Sequence, residues 1–231
     1  MLHFVVESSL YNYLVKIDYL IINPIGTVKR LKFESDTRNK ILLNREQVES
    51  LLNTPDISTY KGLRDRTIMY LYFYTGCRRS ELKYLRYSDI NINDELPTIK
   101  FRKRNSNRIV PLNIEVINIL KIYIKSSTHL HLTNPNIPFF TRVQLSDMSL
   151  IKPMAESSFN RIFKYYSNIA KLPNNITPHS ARSTFIINAL QNNCPIQKFQ
   201  NTVNHKSIES TDKYFYNITS YNNSPCFIIK Y

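Results

Sequence analysis

Glycine is scarce in this chain, with three residues in 231, while eleven prolines separate its periodic apolar segments. That balance predicts helices punctuated by proline. The three cysteines, Cys77, Cys194 and Cys226, are odd in number and far apart, and none forms a Cys-x-x-Cys pair. This argues against a disulfide framework or a zinc site and fits a reducing compartment. No run of about 18 apolar residues exists, so no membrane span and no membrane partner are expected. Residues 1–20 lack both a charged segment ahead of the apolar stretch and a small-residue cleavage site, so no secretory leader is expected. Acidic residues are few as well, 17 against 31 lysines and arginines, giving a formal charge of +14. No carboxylate cluster stands ready for a metal, and neither metal nor cofactor is expected.

So large a positive excess predicts a polyanionic partner, because each phosphate neutralised releases condensed counterions. Charge alone leaves acidic lipid, or simple solubility, as alternatives. With 42% hydrophobic residues, among them sixteen Tyr and twelve Phe, a packed core is expected. The length suits one sizeable domain and a small appendage. Abundant Asn, Ile, Lys and Tyr beside so little Gly fit an AT-rich coding genome, such as that of an organelle, a virus or a low-GC bacterium.

Apolar periodicity orders the elements. Leu10, Tyr13, Leu14, Ile17, Leu20 and Ile21 predict an amphipathic helix over 8–21, stopped by Asn23-Pro24 and Gly26. Residues 28–40 carry Lys29, Arg30, Lys32, Arg38 and Lys40 and read as an exposed basic linker. Asn44, with Gln47 three residues on, is a capping signal for a helix through Leu52. Residues 63–74 form a dense apolar helix closed by Gly76, and 80–86 a short one. Residues 97–101 and 108–112 read as the strands of a hairpin around a polar Lys103–Asn107 turn. Helices follow at 114–124 and 157–170, with irregular chain at 130–153 between them. Thr177 as N-cap and Pro178 in the first turn open a helix through Gln191. Two short helices are expected after Pro195 and over 207–216. The fold class is mainly α with a small antiparallel β-sheet.

The chemistry-bearing residues fall into four groups. Thr75-Gly76-Cys77-Arg78-Arg79-Ser80-Glu81-Leu82 comes first, and the hairpin with Lys103 and Arg108-Ile109-Val110-Pro111-Leu112 second. Thr177-Pro178-His179-Ser180-Ala181-Arg182 is third; its His and Arg, three apart on a helix, share a face and can address one anion. Asn204-His205-Lys206-Ser207 is fourth, followed by Tyr214 nine residues past His205. In type and order this set resembles the active site of the tyrosine recombinases, the phage-integrase family of DNA strand-exchange enzymes, over roughly residues 41–220. Cys77 departs from the family's usual leucine, and Val203-Asn204 from its Leu-Gly.

The resemblance implies the family's catalytic-domain fold, the DNA breaking-rejoining enzyme fold, and a role for each matched residue. Tyr214 would be the nucleophile, forming a covalent 3′-phosphotyrosine with one strand, with Tyr216 next in line. Arg78 and Arg182 would clamp the non-bridging phosphate oxygens in a fork geometry that lysine cannot reproduce. His179 would serve the tyrosine as acid/base, and His205 would donate to the scissile phosphate. Lys103 would protonate the departing 5′ oxygen, with Lys100, Arg102 and Arg104 as competitors. Glu81 would orient Arg78 or a neighbouring stretch of backbone, and Arg79 would face DNA or solvent. His129, His131 and His3 read as surface or signal-free positions.

The family places a helical core-binding domain of about 100 residues before the catalytic one. Residues 1–40 are therefore expected to be a remnant of that region with its basic linker, and 41–231 the catalytic domain with a C-terminal tail. The implied activity is site-specific recombination or integration by a homotetramer on double-stranded DNA, in a reducing, DNA-containing compartment. A type IB topoisomerase-like nicking and relaxing enzyme is the alternative within the same chemistry. A catalytically inactive DNA-binding relic is the alternative outside it.

Overall fold

The computed structural model describes residues 2–24, 41–103, 106–127, 134–141 and 152–192, with residues 2–8, 103 and 106 described by backbone alone. The chain divides into two units, residues 1–39 and 40–231. In the first, helix α1 runs Leu2–Lys16 rather than 8–21. Asp18 turns the backbone left-handed, at φ 55°. The amides of Tyr19 and Leu20 then both fold back onto the Leu14 carbonyl, which is how helices commonly end. The apolar spacing continues through Ile17, Leu20 and Ile21, but the helix does not. The basic linker lies outside the described residues.

The second unit is mainly helical around a small sheet. Its elements are α2 (Arg45–Asn53), α3 (Tyr60–Thr75), α4 (Arg79–Lys83), β1 (Ile90–Asn91), β2 (Thr98–Lys103), β3 (Ser106–Pro111), α5 (Ile114–Ser126), α6 (Glu156–Ile169) and α7 (Pro178–Gln191). Helix α2 begins with the expected capping box. Asn44 Oδ1 accepts from the Gln47 amide at 2.8 Å, and Gln47 Oε1 accepts from the Asn44 amide at 3.0 Å. Among the described residues, no helix is long and apolar enough to cross a membrane.

Helix α3 is the hub. Most of its residues are buried, as befits a helix surrounded by others, and α2, α5, α6 and α7 pack against it. Tyr72 lies edge-on to Phe159 and Phe163 of α6, with ring centroids 6.1 and 5.5 Å away. All three side chains are wholly buried. Burying each of the two phenylalanine rings contributes about 1.5–3 kcal/mol. A charged knot lies within this part of the core. Arg64 Nη2 and Nε both donate to Asp65 Oδ1, at 2.8 and 2.9 Å, and Tyr166 donates to Asp65 Oδ2 at 3.3 Å.

The sheet is antiparallel in the order β1-β2-β3. Its register pairs Phe101 with Arg108 and Lys103 with Ser106. The two strands are thus longer than the sequence implies. β1, only two residues long, carries no alternation that a sequence could reveal. The hairpin's inner face buries Ile99, Phe101, Val110 and, unexpectedly, Arg108, whereas Ile109 is exposed. The short helices expected after residue 195 lie outside the described residues.

Candidate active site

The site is built where α3 ends. Gly76 sits at φ 56° as the left-handed cap of α3, and its amide returns to the Tyr72 carbonyl at 3.1 Å. A Cβ there would come within 2.5 Å of the Phe185 ring on α7. Glycine is required both for the turn and for this close approach. The cap leaves the final carbonyls of α3 available, and two arginines take them. Arg108 Nη1 donates to Thr75 O at 3.3 Å, and Arg182 Nη1 donates to Gly76 O. Cations at a helix C-terminus are favoured by the helix dipole as well as by the hydrogen bonds.

Cys77 follows, fully enclosed. Burial first, and then the nearby Glu81 charge, push its thiol up to about 12. It remains a neutral thiol near pH 7 and acts as a small apolar side chain, which explains why it can stand where the family has leucine.

Arg78 is the N-cap of α4, and Glu81 lies one turn along. Glu81 Oε2 accepts from the Arg78 amide at 2.8 Å, and Oε1 accepts from Arg78 Nη1 at 3.1 Å. The same Oε2 accepts from Arg108 Nη2 at 2.8 Å. Burial works to raise the Glu81 carboxyl. The Arg108 charge, the Arg78 amide and the Arg78 charge together outweigh it and hold the group below the usual glutamate range. Arg78 keeps 30% of its side chain exposed while Arg108 keeps 3%. One guanidinium is presented outward, and the other is sealed in.

Helix α7 delivers the remaining described residues. Thr177 Oγ1 accepts from the Ser180 amide at 3.3 Å, and Pro178 occupies the first turn. His179 is exposed at this N-terminus, and Arg182, on the same face, is buried. Burial first, then the Arg78 charge, lower the Arg182 guanidinium to about 10. It still carries its positive charge at neutral pH. Arg108 depresses it too, while Glu81 supports it. Two guanidinium groups, those of Arg78 and Arg108, therefore bond one carboxylate, with the Arg182 cation seated on the neighbouring Gly76 carbonyl, in an arrangement suited to an anion.

The structure thus brings Arg78, Glu81 and Arg182 together, with His179 on the Arg182 helix and Arg79 exposed. Lys103 ends β2, and only its backbone is described. His205 and Tyr214 lie outside the described residues, as do Arg104, His129, His131 and Tyr216. In the sequence Arg108 stands out only as the start of the Arg-x-Val-Pro-Leu run. Its signal was parity: Arg108 and Val110 alternate with Ile109, and the buried face takes the arginine.

With this geometry in place, comparison with known proteins decides the family. Residues 42–220 match the model of the phage integrase family. The chain belongs to that family. It is 29% identical over 208 residues to the tyrosine recombinase XerD of Staphylococcus haemolyticus, covering 89% of this chain and 67% of that one. It is also 29% identical over 207 residues to the tyrosine recombinase XerC of Chlamydia caviae, covering 90% of this chain and 64% of that one. The chain spans about two thirds of the length of the curated relatives it matches. Among solved structures, the XerA recombinase superposes with a TM-score of 0.63 at 22% identity, over 80% of this chain and 66% of that one. XerH, captured on a palindromic difH substrate after cleavage, gives 0.69 at 17% identity, over 93% of this chain and 64% of that one. The fold of this phage-integrase member is that of the tyrosine recombinase catalytic domain.

Proposed function

We propose that this chain is a site-specific DNA recombinase that cuts and rejoins strands through a covalent 3′-phosphotyrosine. The observation that carries this reading is the meeting of Arg78, Glu81 and Arg182 at the end of α3. XerH, which shares the fold, was captured on DNA in a post-cleavage complex.

In this reading Arg78 and Arg182 hold the two non-bridging oxygens, and charge developing on phosphorus meets donors already in place. The Tyr214 oxygen attacks phosphorus while His179 accepts the phenolic proton. The P–O5′ bond breaks, its electron pair stays on the 5′ oxygen, and Lys103 protonates that oxygen. His205 donates to the phosphate. Among the hairpin candidates, Lys103 shares strand parity with the buried Ile99 and Phe101, whereas Lys100 and Arg102 have the opposite parity. Arg102 is moreover engaged by Asp89 at 2.6 Å.

Residues 41–231 form the catalytic domain in this reading. Residues 1–40 are the end of a core-binding region and its basic linker. Exchange between two duplexes needs four active sites, and a homotetramer on DNA supplies them. A suicide substrate, in which the freed 5′ end diffuses away, tests the proposal. A protein–DNA adduct is expected, and intact DNA with no adduct would contradict it.

A further inference from the structure

We propose that Arg108 is a positioning residue, fastening the β2–β3 hairpin that carries Lys103 to the α3–α4 turn that carries Arg78. This rests on the strand-transfer reading above.

The Arg108 guanidinium is sealed on every described side. Nη2 donates to Glu81 Oε2 at 2.8 Å, Nη1 donates to Thr75 O at 3.3 Å, and its carbon lies 4.7 Å from the Phe101 ring centroid. With 3% of its side chain exposed it is not presented to a phosphate. What it reaches are the supports of the clamp. Thr75 is the last residue of α3, and Glu81 Oε2 also accepts from the Arg78 amide. Arg108 sits opposite Phe101 in the ladder, two rungs from the Lys103–Ser106 pair. At about 3.3 Å per residue, that puts the end of the hairpin about 7 Å from the anchor.

A second clasp holds the hairpin nearby. Arg102 Nε donates to Asp89 Oδ1 at 2.6 Å, and Asp89 Oδ2 accepts from the Arg86 amide at 3.1 Å. The two ion pairs tie β3 to α4 and β2 to the segment that runs on from α4. The strand backbone that carries Lys103 is thereby tied by the fold to the elements that carry the clamp.

The alternative is a buried ion pair that serves stability alone. It predicts less folded enzyme, and hence equal losses on every substrate. A misplaced general acid predicts unequal losses, because a 5′-thiolate departs without needing the proton. The experiment compares single-turnover cleavage of 5′-oxygen and 5′-thio suicide DNA by the wild-type chain, Arg108→Met, Arg108→Lys, Lys103→Ala and Arg78→Lys, with a thermal melt for each. Arg108→Lys keeps a cation opposite Glu81, so it carries the same comparison if Arg108→Met does not fold.

Displacing a catalytic group by about 1 Å costs on the order of 10²-fold. A loss of that size is expected for the Arg108 variants on oxygen DNA, and a loss about tenfold smaller on sulfur DNA. Arg78→Lys should lose equally on both. Equal losses for both Arg108 variants, or wild-type cleavage of oxygen DNA by them, would overturn the proposal. If sulfur rescues the Arg108 variants but not Lys103→Ala, the proposal stands and the acid is another hairpin residue. If the wild-type chain forms no adduct with either DNA, the strand-transfer reading fails and this inference goes with it.

Discussion

Arg182 of α7 donates through Nη1 to the Gly76 carbonyl at the end of α3, across 106 residues of sequence. The cap that ends one helix thus seats the buried cation of another. Gly76 serves twice, through its left-handed φ and through its approach to Phe185.

Gly76→Ala is therefore expected to damage stability and activity together. The left-handed conformation alone costs about 1–2 kcal/mol for a residue with a Cβ, and the contact with Phe185 adds to it. A lowered melting temperature with reduced cleavage per folded molecule is the expected outcome. Unchanged melting would mean that α7 can move away from α3 without cost.

Arg78→Lys and Arg182→Lys should each slow cleavage although charge is kept, because an ammonium cannot make the two-point contact. Losing one such donor costs about 10²–10³ in rate. Rates measured on saturating suicide substrate check this. Near-normal cleavage by either variant would move the clamp elsewhere, and exposed Arg79 is the first position to examine.

Glu81 gives a pH dependence with a definite sign. Its folded carboxyl lies below the ordinary value of 4.5, so the unfolded chain takes up the proton first on acidification. Its stabilising contribution is complete above the ordinary value and is lost as pH falls through the folded value. Glu81→Gln should destabilise the protein by about 3–5 kcal/mol near neutrality, since it strips a buried charge from Arg108. Melts taken from about pH 7 to about pH 3 should show that gap closing. A gap independent of pH would deny the carboxylate its role.

Much of this was legible from residue spacing. The Asn44–Gln47 capping box, the Gly76 stop and the Thr177-Pro178 helix start are local signals, set by backbone groups within a few residues. Glu81 against Arg78 is equally local, at one helical turn. What escaped was the partner brought from far away. Arg108 meets Glu81 across 27 residues, and nothing in a strand of mixed polarity says which carboxylate its arginine will find. The end of α1 was missed for the opposite reason: apolar spacing persisted past Lys16 with no helix to carry it.

Cleavage should persist in excess EDTA, since the guanidinium groups supply the charge that a metal would otherwise bring. A strict Mg²⁺ requirement would point to a metal-dependent nuclease. Cys77, enclosed and neutral, should resist alkylation at neutral pH until the protein is unfolded. Mass mapping of labelled cysteines reads this directly, and rapid native labelling of Cys77 would mean that the α3–α4 turn opens.

The most direct test of the central claim is to trap the protein on suicide DNA, digest it, and map the nucleotide-bearing peptide by mass spectrometry. The account predicts a 3′-phosphate linked to Tyr214, and for Tyr214→Phe no adduct with DNA binding retained. An adduct on Tyr216 or another residue, or full activity in Tyr214→Phe, would contradict it.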